Sequence, residues 1–318
     1  MTKAVLAIEP EVAPLEAFAP APSVAQPMTE SPTRAADYLE LTKPRIAVMA
    51  LFTVGVGYLL AGATGGAMTL VHTLIGAGLV AAGGSALNQW LERKIDAKMR
   101  RTQNRPLPAG RLSPADALTF GIVLGVAGTV YLALTVSAAA VVVAAATFVS
   151  YVLIYTPLKT VTVWNTVVGA VPGALPPVIG WCAVRGWDGA AGATALFLIL
   201  FFWQLPHFLA IAWMYRDDYA RGGLRMLPIV DATGGKTAWV MIVTAAMLTA
   251  SSLLPLFIGM AGPVYAAGAV LLGLMFVWRG VEFHRDRTDR RARRVLRASL
   301  LYLPGALGLV LLDNFIPG

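Results

Sequence analysis

The chain has 318 residues, of which 57% are hydrophobic and only 13% are charged, and its mean hydropathy is +0.69. This composition exceeds what the core of a water-soluble domain can use, so it indicates an integral membrane protein. The formal net charge is +8, but the basic residues gather in short segments between apolar runs. That distribution is typical of membrane orientation signals and argues against nucleic-acid binding.

The first 37 residues are predicted to form a disordered cytoplasmic tail, followed by a membrane domain over 38–318. The tail is rich in Ala, Pro and Glu and shows no helical apolar period, as is typical of segments that cannot bury a core. A mitochondrial presequence would be rich in Arg and poor in acids, unlike this segment. The expected location is therefore a bacterial inner membrane.

Apolar runs long enough to cross a bilayer, which takes about 20 residues, recur along the rest of the chain. Lys and Arg fall almost entirely in alternate loops, with Arg185 as the exception, and this alternation indicates a cytoplasmic N-terminus and a periplasmic C-terminus. We expect an all-α bundle of nine transmembrane helices around a central cavity open toward the cytoplasm. The spans are predicted near 46–63, 69–90, 114–134, 137–155, 163–183, 192–215, 237–258, 263–279 and 297–315.

Polar side chains interrupt the apolar pattern where the second span ends, in the segment GGSALNQWLERKIDAKMRRTQNRPLP at 83–108. Asn88, Glu92 and Asp96 are spaced four residues apart, so on a helix they stay within about 80° of one another over about 12 Å. Asn88 still lies within the apolar run, where an amide needs partners. Carboxylates at a helix C-terminus also oppose the negative end of its dipole. The pattern predicts a functional site that receives a cation.

A second acidic pair follows the sixth predicted span, in FFWQLPHFLAIAWMYRDDYARGGLRMLP at 201–228. His207 and Asp218 share one face if the helix is continuous through this segment, and Asp217 lies beside them at its end. Even-numbered spans all end at the cytoplasmic face in the predicted topology. The two acidic clusters are therefore expected at a similar depth, where they can meet at one interface.

Carboxylates on facing helices favour Mg²⁺, a hard cation that takes one or two carboxylates and completes its shell with water and substrate phosphates. Basic side chains surround both clusters, and Arg in particular suits phosphate oxygens. The pattern therefore predicts a ligand with a diphosphate head at the interface and an apolar tail between the helices. The basic residues are Lys43, Arg45, Lys94, Lys98, Arg100, Arg101, Arg105 and Lys159.

Four segments together resemble one known family. They are the two segments quoted above, LTKPRI in the first basic segment, and YTPLKTVTVWNTVVGAVPGALPPVIGW at 155–181. From residue 38 to residue 316 the chain resembles the protohaem IX farnesyltransferases, or haem O synthases, a branch of the UbiA-type intramembrane prenyltransferases. Glu92 stands where the wider superfamily commonly has an aspartate, and this variant looks like the haem branch. The second motif is thinner than the superfamily's Asp-rich form, with only Asp217 and Asp218.

The resemblance implies farnesyl transfer from farnesyl diphosphate to a vinyl group of haem B, with addition of water, giving haem O. Mg²⁺ is then the expected cofactor. The implied partners are the lipid bilayer and either haem A synthase or the terminal oxidase assembly, and none is a nucleic acid. The implied metal and catalytic residues are Asn88, Glu92, Asp96, Asp217 and Asp218; the diphosphate-binding residues are Lys43, Arg45, Arg100, Arg101, Arg105 and Lys159; the haem or substrate contacts are His207, Gln204, Asn165 and Tyr155.

Two other functions fit part of the pattern. A UbiA-type prenyltransferase acting on an aromatic acceptor would use the same acidic clusters, and a transporter with an acidic ion pathway would also carry carboxylates in its helices. Transporter sites lie near the bilayer midplane, often on broken helices in repeated halves, whereas both acidic clusters here fall at one interface. At single positions, His207 also fits a hydrogen-bonded packing residue, and Asn165 also fits a helix cap.

Overall fold

The computed structural model describes residues 33–62 and 64–315, and all regular structure in that part of the chain is helical. Residues 1–32, most of the predicted tail, lie outside the described residues. The first helix begins at Arg34, ahead of the predicted domain boundary at residue 38. A π-helical segment, Ser150–Tyr155, joins α5 to α6. The helices are α1 (Arg34–Leu41), α2 (Pro44–Leu60), α3 (Gly66–Asp96), α4 (Pro114–Thr135), α5 (Ala138–Val149), α6 (Thr156–Leu158), α7 (Asn165–Ala174), α8 (Pro176–Arg185), α9 (Ala190–Met214), α10 (Arg216–Arg221), α11 (Leu227–Val230), α12 (Gly235–Ser251), α13 (Leu254–Phe257), α14 (Pro263–Arg285) and α15 (Asp289–Phe315).

Eight helical stretches in the described residues are long and apolar enough to cross a membrane, and the pair α1 and α2, bent by 45°, is a ninth candidate. Large apolar side chains such as Leu134 and Phe257 are 80% and 76% exposed on the outer surface, which suits a lipid environment. The predicted all-helical membrane bundle is thus confirmed, and the cavity open toward the cytoplasm stays a prediction. The stretches are Gly66–Asp96, Pro114–Thr135, Ala138–Leu158, Asn165–Arg185, Ala190–Met214, Gly235–Phe257, Pro263–Arg285 and Asp289–Asp313.

Local sequence signals explain where several helices begin. α4 starts at Pro114, whose missing N–H is harmless at the first helical position. Ser113 Oγ accepts a hydrogen bond from Asp116 N at 3.1 Å, and Ser137 caps α5 in the same way through Ala140 N at 3.2 Å. These caps satisfy N–H groups that the helix itself cannot.

The largest cluster of buried apolar side chains lies between α9, α12, α14 and α15, and it includes Leu209, Met241, Phe276 and Tyr302. A second cluster lies between α2, α3, α5 and α8. Both hold long helices side by side, so polar side chains at the helix ends are brought to fixed positions. The site described below lies where α3 ends.

Helices α2 and α8 cross with almost no space between their backbones. A Cβ at Gly57 would lie 1.9 Å from Pro177 O, and one at Gly180 would lie 1.9 Å from Val54 O. Glycine at both positions allows this approach, as small residues do at helix contacts in membranes. The crossing fixes the direction of α2 and therefore the position of Lys43 at its start.

We expect Gly57→Ala to lower the free energy of unfolding by about 1–3 kcal/mol, because the added methyl group overpacks this contact. Thermal unfolding of the purified protein in detergent measures the effect. Gly55→Ala on the same helix is the matched control, since a Cβ there meets nothing within 4 Å. Equal stability of the two variants would show that the crossing tolerates a wider separation.

Candidate active site

The three polar residues near the end of α3, here called the α3 stripe, are buried inside the bundle. Asn88, Glu92 and Asp96 are 0%, 7% and 1% exposed. Charged and amide groups at such depth need partners, because an unpaired polar group loses its water without compensation. Each member of the stripe has a basic partner from another part of the chain.

Asn88 is held between a lysine and a threonine. Its Oδ1 accepts a hydrogen bond from Lys43 Nζ at 2.7 Å, and its Nδ2 donates to Thr156 Oγ1 at 3.0 Å. Thr156 Oγ1 in turn donates to Tyr151 O at 2.9 Å, so it can only accept from Asn88. This chain of hydrogen bonds fixes the amide with its oxygen toward Lys43.

Two backbone features position these partners. Lys43 lies in the left-handed region, with φ 50° and ψ 60°, which costs a residue other than glycine about 1–2 kcal/mol. Thr156 follows the π-helical segment Ser150–Tyr155, and such segments are frequent at functional sites. Both the lysine and the threonine thus reach Asn88 from irregular backbone.

Glu92 forms an ion pair with Lys159, with 2.6 Å between Oε1 and Nζ. The pair lacks the geometry of a hydrogen bond, and Oε1 has no hydrogen-bond partner among the described residues. The ammonium also lies 4.6 Å from the centroid of the Tyr155 ring. Burial opposes the charge on Lys159, but Tyr155 and Glu92 outweigh it and hold the pKa of this ammonium above its usual value. Lys159 is therefore protonated at neutral pH.

Asp96 is paired with Arg105, whose Nη1 donates to Oδ2 at 2.8 Å. The other carboxylate oxygen, Oδ1, is buried and has no hydrogen-bond partner in the described part of the chain. Unsatisfied buried oxygens are uncommon and call for an explanation such as an ion that the site is built to hold.

The second acidic pair is arranged differently. Asp218 is buried, and its carboxylate accepts hydrogen bonds from Arg100 N at 2.9 Å and Arg101 N at 3.1 Å and pairs with Arg221. Asp217 is exposed. In residues 33–62 and 64–315 no group of three or more Asp, Glu, His or Cys side chains is placed to hold a metal ion. The two acidic clusters therefore do not merge there into one carboxylate centre.

Asp218 lies on α10 and binds the backbone of the loop that follows α3. Burial opposes its ionisation, but the amides of Arg101 and Arg100 and the Arg221 guanidinium outweigh burial and lower the pKa of this carboxyl. A lowered pKa means that the stabilising contribution is present above the ordinary value of about 3.9 and is lost as the pH falls below it.

We expect Asp218→Ala to raise the hydrogen-exchange rates of the Arg100 and Arg101 amides by about tenfold or more, since hydrogen bonds to a charged acceptor contribute about 1.5–3 kcal/mol. Exchange followed by mass spectrometry on the protein in detergent provides the measurement. Asp217→Ala is the matched control, because this neighbouring carboxylate is exposed. Unchanged exchange in the Asp218 variant would show that the loop is held by other contacts.

The predicted diphosphate-binding residues fall into two groups. Lys43, Arg105 and Lys159 contact the α3 stripe, whereas Arg45 and Arg100 have exposed side chains. Arg101 belongs to the second group. It is exposed, donates to Tyr219 Oη at 3.3 Å and lies over the Tyr215 and Tyr219 rings.

Asn165 joins two loops beside Lys159. Its Nδ2 donates to Arg225 O at 2.7 Å and also to Thr162 O, and Arg225 N donates to Lys159 O at 2.7 Å. A capping side chain would accept from backbone N–H groups, so Asn165 does not cap α7. It fixes the backbone that carries Lys159.

Tyr155 and Gln204 occupy space left by two glycines of α7. A Cβ at Gly169 would lie 2.3 Å from the Tyr155 ring, and one at Gly173 would lie 2.0 Å from Gln204 Oε1. Gln204 Nε2 donates within its own helix, to Leu200 O at 3.2 Å. Tyr155 lines a cavity of about 60 Å³ next to Lys159, so it is the one of the two that adjoins the charged residues.

His207 does not share a face with Asp218, and this prediction is wrong. α9 continues through Pro206 but ends at Met214, so Asp218 belongs to the separate helix α10. His207 Nδ1 instead lies 2.7 Å from Ser299 Oγ on α15.

Sequence reasoning did not find Thr156, although the residue is 5% exposed and orients Asn88. A threonine directly before Pro157 in an apolar segment carries little signal, because its role depends on contacts with a distant helix. The pairing of Glu92 with Lys159 cannot be predicted from the sequence either, because 67 residues separate them.

Comparison with known proteins identifies the family. The sequence profile of the UbiA prenyltransferase family matches residues 50–303. The chain belongs to this family. Two curated relatives named protoheme IX farnesyltransferase are each 48% identical: one from Solibacter usitatus over 87% of this chain and 98% of its own length, and one from Salinibacter ruber over 88% and 99%.

Solved structures show the same UbiA fold. A digeranylgeranylglyceryl phosphate synthase superposes with a TM-score of 0.74 at 18% identity, covering 88% of this chain and 98% of that one. A UbiA homologue from Archaeoglobus fulgidus, bound to GPP and Mg²⁺, superposes with a TM-score of 0.61 at 15% identity over 86% and 99%. The predicted UbiA-type membrane fold is confirmed by these similarities.

Proposed function

We infer that the chain transfers a farnesyl group from farnesyl diphosphate to a vinyl group of haem B, with addition of water, giving haem O and diphosphate. The names of relatives that match over nearly their whole length support this reaction. In the structure, the main support for this reaction is the buried α3 stripe, in which an amide and two carboxylates each contact a Lys or Arg side chain. A buried set of both signs suits a metal diphosphate, which also combines both signs.

The stripe fits Mg²⁺. Asp96 Oδ1 is a buried carboxylate oxygen without a hydrogen-bond partner in the described residues, and Glu92 and Asn88 add a second carboxylate and an amide oxygen. These are the hard oxygen donors that Mg²⁺ prefers. Asn88, Glu92 and Asp96 would hold Mg²⁺, which when bound neutralises charge on the diphosphate. The homologue bound to GPP and Mg²⁺ supports the same cofactor.

The Lys and Arg side chains of the site stabilise the diphosphate leaving group. Lys43, Arg105 and Lys159 are drawn from the α1–α2 turn, the α3–α4 loop and the segment after α6. Because the stripe already gathers them near the end of α3, they can turn from its side chains to donate hydrogen bonds to diphosphate oxygens as negative charge develops there. Arg101 lies farther out on the α3–α4 loop and can receive the departing diphosphate.

Charge separation leaves an allylic cation at C1 of the farnesyl chain when its bond to the diphosphate oxygen breaks. The Tyr155 ring already lies beside a cation, Lys159, and an aromatic face stabilises positive charge. Apolar helices around the site keep water from the cation until the haem vinyl carbon attacks it. A water oxygen then adds to the vinyl carbon left positive and loses a proton, which gives the hydroxyethylfarnesyl group.

The finer cellular placement is part of the same proposal. The alternation of basic loops supports a bacterial inner membrane with a cytoplasmic N-terminus and a periplasmic C-terminus. Farnesyl diphosphate and haem B are the proposed ligands, and haem A synthase or the terminal oxidase assembly would receive haem O.

The test is an assay of the purified full-length protein in detergent with haem B, farnesyl diphosphate and Mg²⁺, with haem products read by mass spectrometry. We expect a haem product whose added mass equals one farnesyl group plus one hydroxyl group, formed only when all three components are present. A chelator that removes Mg²⁺ should abolish it. Consumption of farnesyl diphosphate with a phenolic acceptor, and none with haem B, would overturn the haem assignment and keep the diphosphate site.

A further inference from the structure

A hydrogen-bond chain between α9 and α15 fixes the proton on the ring of His207. Ser299 is 0% exposed, and its Oγ lies 2.7 Å from His207 Nδ1 and 2.6 Å from Leu296 O. A carbonyl oxygen only accepts, so the serine hydroxyl donates its proton to Leu296 and accepts from His207. The neutral imidazole therefore carries its proton on Nδ1, and Nε2 holds the free lone pair.

The same serine fixes the plane of the ring. Trp203 Nε1 donates to Ser299 O at 2.7 Å, and the His207 ring stacks on the Trp203 ring with centroids 4.8 Å apart and an angle of 27°. Within the described residues Nε2 makes no hydrogen bond, and it is not one of the fully buried side-chain atoms that lack a partner. The atom is therefore accessible. Ser299 and Trp203 thus fix the His207 ring, and its unprotonated Nε2 is available to a ligand.

The neighbours of His207 connect it to the diphosphate site. Phe208 and Ile211, the latter about 6 Å farther along α9, line the cavity of about 60 Å³ that also includes Tyr155. Tyr155 in turn contacts Lys159, the partner of Glu92. An acceptor that contacts His207 would therefore lie beside two residues that line this cavity.

We propose that His207 Nε2 binds the iron of haem B and thereby orients the porphyrin for farnesylation. The inference rests on the proposed function, since it takes haem B as the acceptor. Imidazoles that bind metals usually donate their other N–H to a fixed oxygen, which holds the ring and makes the free nitrogen more basic. Ser299 is that oxygen here, and histidine is a common ligand of haem iron.

The test uses absorption and electron paramagnetic resonance spectra of the full-length protein loaded with haem B in detergent. Wild type is expected to show a histidine-bound iron, His207→Ala to lose it, and added imidazole to restore it. The affinity for haem B should fall by about tenfold or more in His207→Ala, while the affinity for metal-free protoporphyrin IX stays unchanged. His72→Ala is the matched control, because that histidine is bonded to Tyr131 at 2.7 Å.

Ser299→Ala keeps the imidazole and removes its partner. We expect iron to remain bound, with a weaker iron–nitrogen vibration in resonance Raman spectra and an affinity for haem B lowered by about tenfold. A His207→Ala spectrum identical to wild type, or an equal loss of affinity for protoporphyrin IX, would overturn the inference. If wild type farnesylates haem B in that case, iron binding by His207 fails alone; if wild type does not, the proposed function fails with it.

Discussion

Asp96→Asn is expected to lower the turnover rate of farnesyl transfer by about 10²–10³-fold, the usual effect of removing one positioned electrostatic group from a reaction centre. The substitution keeps the size of the side chain but removes the negative charge. Asp96 Oδ1 is one of two buried carboxylate oxygens without a hydrogen-bond partner in the described residues, and the other, Glu92 Oε1, lies in an ion pair with Lys159. The loss therefore falls on the atom that is best placed for Mg²⁺. The rate is measured by mass spectrometry of the haem products over a range of Mg²⁺ concentrations.

Two readouts separate loss of the metal from loss of the fold. The Asp96→Asn protein should unfold below the wild-type temperature, because Arg105 loses its charged partner, but it should still be folded at the assay temperature, and the Mg²⁺ concentration that gives half its residual rate should rise. Asp116→Asn is the control, because Asp116 lies in the first turn of α4 and pairs with Arg34 at 3.1 Å, with 37% of its side chain exposed. A full rate in Asp96→Asn at ordinary Mg²⁺ would remove the α3 stripe from the metal site.

Mg²⁺ and the prenyl diphosphate are expected to bind together, each raising the affinity of the other by about tenfold or more. Glu92 and Asp96 lie 2.6 and 2.8 Å from Lys159 and Arg105, so Mg²⁺ alone must compete with two cations for its ligands. A diphosphate gives those cations a new anion and releases the carboxylates. Coupling of this kind is reciprocal and typically amounts to about 5–150-fold.

Titration calorimetry with an unreactive farnesyl thiodiphosphate, with and without Mg²⁺, measures this coupling. Lys159→Met sharpens the test, because it removes one competing cation without adding another charge. This variant should bind Mg²⁺ alone more tightly than wild type does and should bind the analogue more weakly. Equal affinity for Mg²⁺ in the presence and absence of the analogue would contradict the competition described here.

The helices and one half of the site could be predicted from the sequence, because hydropathy and the four-residue spacing are local properties. Apolar length identifies the spans, and the four-residue spacing is enough to place Asn88, Glu92 and Asp96 on one face of a helix. The second half could not be predicted in the same way. No sequence signal at Tyr215 marks the end of α9 there, so a helical spacing predicts one continuous face as far as Asp218.

Roles that depend on contacts between distant segments were also beyond the sequence. Asp218 was expected beside a metal, yet its oxygens accept from Arg100 N and Arg101 N, which only the folded loop brings near. Gly169 and Gly173 have the four-residue spacing that is typical of close helix packing, yet they make room for the side chains of Tyr155 and Gln204. Residue type alone does not show whether a carboxylate binds a metal or holds a loop. Nor does it show whether a glycine lies at a helix–helix contact or makes room for a side chain.

The pairing of buried charges in the α3 stripe restricts how this site can change during evolution. Losing one member of a buried ion pair costs about 3–5 kcal/mol, because the other is left uncompensated. A lineage that replaces Glu92 is therefore expected to replace Lys159 as well, and the same holds for Asp96 and Arg105. Substitutions in this part of the bundle should appear across homologues as correlated pairs.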